Sequence, residues 1–107
     1  MKKQLQKNEW AERLQMLSSG NKGANALLEE AGQNIAENIP FRNIEYDPAG
    51  KGDDLVIAFG TIDDSLRHVV SSPVELYIHE DSNGVLTSVE IINKKSVTTS
   101  IRFLEIA

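Results

Sequence analysis

The sequence predicts an α+β fold: an N-terminal helix packed on a mainly antiparallel sheet of five to seven strands, with one short helical connection. Three observations predict it. Trp10, Leu14 and Leu17 recur at helical spacing near the start, so their side chains share one face. From Phe41 onward apolar and polar residues alternate in short runs, as strands with one buried side do. Between those runs lie clusters of Gly, Asn, Asp and Pro too short for the crossovers that parallel strands need. The 107 residues suit a single domain, with a helix in residues 1–20 and a strand-rich body over 24–107.

The helical stretch begins with Leu5 about a turn and a half before Trp10. Asn8 is positioned to cap it, and Glu9 sits in its first turn, where a carboxylate complements the helix dipole. Ser18, Ser19, Gly20 and Gly23 end it. Trp10 is the single tryptophan and is expected to dock the helix onto the sheet. Lys2, Lys3 and Lys7 read as its solvated start.

Residues 24–39 carry two conflicting signals. Leu28, Ala31, Ile35 and Ile39 fit a helical face. Gly32 argues against that, because a mid-helix glycine costs about 1 kcal/mol whereas a turn between strands welcomes it.

Next, Ile44 and Tyr46 alternate with Asn43, Glu45 and Asp47, and Pro48, Gly50, Gly52 and Asp53 make a turn. Leu55 to Phe59 is apolar on both faces, as a central strand would be. Thr61 and Asp64 have capping-box spacing, with Ile62, Leu66 and Val69 on one side, which predicts a short helical segment ending at Ser71, Ser72 and Pro73. Three strands close the chain. Their expected inward sets are Val74, Leu76 and Ile78; Val85, Thr87, Val89 and Ile91; and Val97, Thr99, Ile101 and Phe103. The first two are joined by Asp81 to Gly84, a hairpin signal ending in Asn-Gly.

Composition excludes several classes. The net charge is −5, and the excess lies in the second half: residues 52–107 carry four basic and nine acidic side chains. Such a surface repels phosphate backbones, so nucleic acid is not an expected partner. The absence of cysteine rules out disulfides, thiolate metal sites and a cysteine nucleophile. No apolar run approaches the ~18 residues of a membrane span, and the opening residues lack a signal-peptide core; a cytoplasmic protein with no membrane partner is expected. There is no Gly-x-Ser-x-Gly elbow, and Gly50-Lys51-Gly52 does not continue into a phosphate loop. No catalytic residue, cofactor or metal ligand set is predicted, and the chain is not expected to be an enzyme.

Three stretches in order carry a resemblance: Ile44-Glu45-Tyr46-Asp47-Pro48, Asp53-Asp54-Leu55-Val56-Ile57, and Arg67-His68 through Pro73 to Ile78, followed by Val89-Glu90-Ile91-Ile92. With the Glu9-Trp10 helix, the pattern resembles a family of short bacterial proteins known as domain of unknown function 5335. The chain departs from it at Asn93-Lys94-Lys95, where the family tends to have Asp-Gly. The resemblance implies a small strand-rich domain, turns residues 24–39 toward a hairpin, and implies no activity.

Two groups of residues are candidates for function. His68 with Asp47, Asp53 and Asp54 forms a possible polar corner, because a histidine beside carboxylates can bind a divalent cation or a small ligand. The alternative is structural: His68 fixing the approach to Pro73, and the aspartates serving turns and strand starts. Tyr77 and His79, with Leu86, Ile92 and Leu104, occupy outward registers and form a candidate interface. A sheet apolar on both sides needs two covers, and the second is expected to be another subunit or an unknown protein partner. Tyr77 and His79 otherwise simply lie beside strand neighbours.

Overall fold

The computed structural model describes residues 1–47, 53–61 and 65–104. The chain runs β1 (Lys2–Leu5), a 3-10 turn (Lys7–Glu9), α1 (Trp10–Asn21), β2 (Asn25–Glu30), β3 (Gln33–Asp47), β4 (Asp54–Gly60), β5 (Ser65–Ser71), β6 (Pro73–Glu80), β7 (Leu86–Asn93) and β8 (Thr98–Phe103). The strands form one eight-stranded sheet in the order β1-β6-β7-β8-β2-β3-β4-β5. Every pairing is antiparallel.

The 15-residue β3 lets this sheet fold back on itself. Up to Pro40 it pairs with β2; from Phe41 to Asp47 it pairs with β4. Its register slips between Phe41 and Asn43, and such a bulge bends the strand and adds twist. At the bend the Phe41 ring meets Phe59 of β4 edge-on at 6.0 Å and Phe103 of β8 at 5.2 Å. One core is thereby enclosed, including Leu28, Ile44, Leu55, Ile57, Leu76, Val89, Ile91 and Ile101, all fully buried. Only Ser72, at φ 51°, separates β5 from β6. That left-handed backbone is uncommon for a residue with a Cβ, and bonds from Ser72 N–H to Asp53 O (3.0 Å) and from Lys94 N–H to Ser72 O (2.9 Å) hold the corner.

Helix α1 lies beside the second part of β3. Trp10 is buried, donates its indole N–H to Leu5 O at 3.0 Å, and meets the Tyr46 ring edge-on at 5.1 Å. The donated bond removes the cost of hiding a polar N–H. Docking of the helix through Trp10 and Leu14 is therefore as the spacing implied.

Several expectations need correction. The sheet has eight strands, not five to seven. The predicted helical connection after Thr61 is strand over its described part, β5; Ile62, Asp63 and Asp64 lie outside the described residues. Period-two burial wins there because Leu66, His68 and Val70 turn inward while Arg67 and Val69 are exposed. The first residues are not helical: Lys2–Leu5 pairs with β6, and Asn8 sits inside the 3-10 turn, not at a cap. The Gln6 N–H donates instead to Glu9 Oε1 at 2.8 Å. The hairpin over 24–39 is present, turning at Ala31 and Gly32, both at positive φ.

Two inward sets also shift. Val74 is 49% exposed and Val85 58% exposed. Thr87 is exposed too, and Leu86 packs against the core. The cause is two register slips between β6 and β7, one between Pro73 and Glu75 and one between His79 and Glu80. Each slip reverses which residues face inward. Thr87, left unpaired in the ladder, gives its hydroxyl to His79 O at 3.0 Å.

Candidate functional site

The predicted polar corner is not assembled. His68 lies on the inner side of β5 opposite Ile57, whereas Asp54 lies on the outer side of β4 opposite Ser71. The two face opposite sides of one sheet. His68 instead reaches across to β2, with Nε2 3.3 Å from Glu30 Oε1, an oxygen that also accepts from Thr99 Oγ1 at 3.3 Å. This contact ties the two halves of the curled sheet together. Asp53, at φ 52° just before β4, accepts from the Tyr46 hydroxyl at 2.9 Å and faces Lys7 Nζ at 3.6 Å. Asp47 and Asp54 pair directly across the strands. Among the described residues, no group of three or more His, Asp or Glu side chains could hold a metal ion.

The predicted interface is largely absorbed within the chain. On the outer side of β6 and β7, the Glu90 carboxylate lies 3.2 Å from Lys2 Nζ and 3.6 Å from His79 Nε2. Lys2 Nζ sits 4.4 Å above the Tyr77 ring, and the Tyr77 hydroxyl donates to Glu75 Oε1 at 2.8 Å. That hydrogen bond, with the neighbouring Glu75 and Glu90 charges, raises the Tyr77 pKa above 10.0, since both oppose a phenolate. Lys2 thus serves as the clamp of β1, where a solvated helix start was expected. Ile92 and Leu104 are half-buried, and the Leu104 N–H donates to Asn25 O at 2.9 Å. Leu86 points to the other side of the sheet, beside Leu5, Leu17 and Ile78 under the helix.

Two features went unmarked by the linear reading. The first is an open groove of 480 Å³ between α1 and β3, with Gln15, Ser19, Lys22, Arg42 and Asn43 among its lining residues. Past Pro40 the helix replaces β2 as the neighbour of β3. The Ser18 hydroxyl accepts from Ile44 N–H at 3.0 Å and donates to Leu14 O at 2.7 Å, standing in for a missing strand. A serine in the last turn of a helix carries no signal of that role.

The second is the flank of β5, which pairs with β4 on one side alone. Ser65, Arg67, Val69 and Ser71 are all exposed there. Alternation of polar and apolar residues was the available signal, but the capping spacing at Thr61 obscured it.

The family of unknown function DUF5335 has a model that matches residues 1–106. The chain belongs to DUF5335. No curated protein and no solved structure matches it. In this DUF5335 member, no helix among the described residues is long and apolar enough to cross a membrane.

Proposed function

We propose that this DUF5335 protein is a non-enzymatic interaction module that associates with a second copy of itself. One observation carries the reading: β5 is an edge strand of seven residues whose outward side chains are exposed, with Val69 49% open to solvent. An unpaired strand flank presents a row of backbone donors and acceptors ready for another strand. The charged side chains of the β6–β7 face, by contrast, are engaged with one another. Sedimentation over a wide concentration range tests the reading. A rise in average mass with concentration supports it, and a strict monomer at the highest concentration removes it.

A second reading is favoured by Lys22 and Arg42 on the walls of the α1–β3 groove, which outnumber its one described acidic lining residue, Glu45, on a chain of net charge −5. It takes this groove, not the dispersed His68 corner, as the site of a small anionic ligand. Titration with inorganic phosphate and with succinate, read as melting temperature, decides it. A ligand of the native state alone must raise the melting point, and no rise with either anion removes this reading.

A further inference from the structure

The outer face of β4 and β5 carries charges that no other described residue pairs with. Cross-strand rows there are Asn43–Ala58–Arg67, Glu45–Val56–Val69 and Asp47–Asp54–Ser71. Asp47 and Asp54 stand opposite each other, an arrangement of like charges that destabilises a sheet. Among the described residues neither aspartate forms an ion pair, and neither does Arg67, which is exposed on the free edge. A lone edge arginine can serve to deter strand pairing. Here an unanswered carboxylate pair lies on the same face, two rows away.

Resting on the self-association proposed above, we infer that β5 pairs antiparallel with β5 of a second copy, centred on Val69. The dyad then sets Val69 against its own equivalent and Arg67 against Ser71 of the partner. The middle row becomes a continuous apolar stripe of Val56 and Val69 from both copies. In the neighbouring row the order becomes Asp47, Asp54, Ser71 and then Arg67 from the second copy. Two strand spacings, about 10 Å between backbones, separate that arginine from Asp54. The small Ser71 side chain leaves the guanidinium room to extend over it to the Asp54 carboxylate, which relieves the repulsion between Asp54 and Asp47. By the two-fold symmetry the contact is made twice, as an isologous interface requires. One pair of seven-residue strands makes a small interface, so the association belongs to the weak, transient class.

The absence of cysteine from the chain gives a direct test. In V69C the two introduced thiols meet at the dyad within disulfide reach, and mild oxidation gives a covalent dimer rapidly. In S65C the two thiols lie roughly 26 Å apart along the paired strands, and cross-linking stays at the collisional rate. Equal cross-linking of the two variants overturns the pairing. Charge exchange provides a second measurement. R67E alone and D54K alone each raise the dimer dissociation constant about tenfold, and an equimolar mixture restores the wild-type value, because both contacts in the mixed dimer are again of opposite charge. Dimerisation that neither variant alters overturns the β5 pairing while leaving self-association through another surface in place. A monomeric wild type overturns both.

Discussion

The outer face of β6 and β7 and the outer face of β4 and β5 are built from similar side chains and behave differently. On the first, Lys2 and His79 converge on one Glu90 oxygen, Lys2 lies over the Tyr77 ring, and Tyr77 donates to Glu75. On the second, Asp47 faces Asp54, and Arg67 stands apart from both. The difference arises from what the chain lays alongside each. Strand β1 adds to β6 and brings Lys2 to Glu90 and Tyr77, whereas no element of the described chain adds to β5. A surface rich in polar and aromatic residues can thus be closed, and a plain strand edge with one valine can be the surface left incomplete.

The largest expected effect tests whether both faces rest on one core. Phe41 bridges the two halves through Phe59 and Phe103, so Phe41→Ala should cost about 3–5 kcal/mol. Urea unfolding followed by both Trp10 fluorescence and far-ultraviolet circular dichroism should show one coincident transition, earlier than in wild type. Separate transitions for the two probes would mean that the halves fold apart. Next in size, Ser18→Ala strips Ile44 N–H of its acceptor and leaves a buried donor unpaired. A loss of about 1–3 kcal/mol is expected from the same unfolding curves.

Removing a carboxylate should act with opposite sign on the two faces. Asp54→Asn relieves the repulsion with Asp47, so the monomer should gain up to about 0.5 kcal/mol, while the proposed β5 pairing should weaken. Glu90→Gln removes the partner of Lys2 and His79 and should lose less than about 1 kcal/mol. Equal signs in thermal melts of the two variants at low salt would erase the contrast.

The smallest effect concerns Tyr77. Its pKa is raised in the folded state, so the associated stabilisation is present below the unfolded value near 10 and is lost as pH rises through the folded one. Glu75→Ala removes the accepting side chain and its charge together, and ultraviolet titration should detect the phenolate at lower pH than in wild type.

The regions differ equally in how far they could be read from the residues. Asp81 to Gly84 is a turn because a short carboxylate can accept from the amides of Asn83 and Val85 at 2.8 and 3.0 Å, and that chemistry is local. Asn93 repeats it, accepting from Lys95 and Val97 at 2.9 Å. The burial of Trp10 and Leu14 follows from helical spacing, which is local as well. Leu86 faces the side opposite to the one alternation predicts because a single slip between His79 and Glu80 reverses the pattern, and nothing at Ser88 or Leu86 announces it. Proximity along the chain groups His68 with Asp47, Asp53 and Asp54. The partner of His68, Glu30, is 38 positions away and arrives through the bend of β3.

Alternation and spacing by themselves determined the helix, most of the strands, their antiparallel turns and most of the core, since each depends on neighbours a few residues apart. Tertiary structure alone decided which strand stands at an edge, which charges meet, and that Ser18 completes β3. Those outcomes depend on how a bent 15-residue strand brings distant segments together. Side-chain periodicity is blind to that geometry.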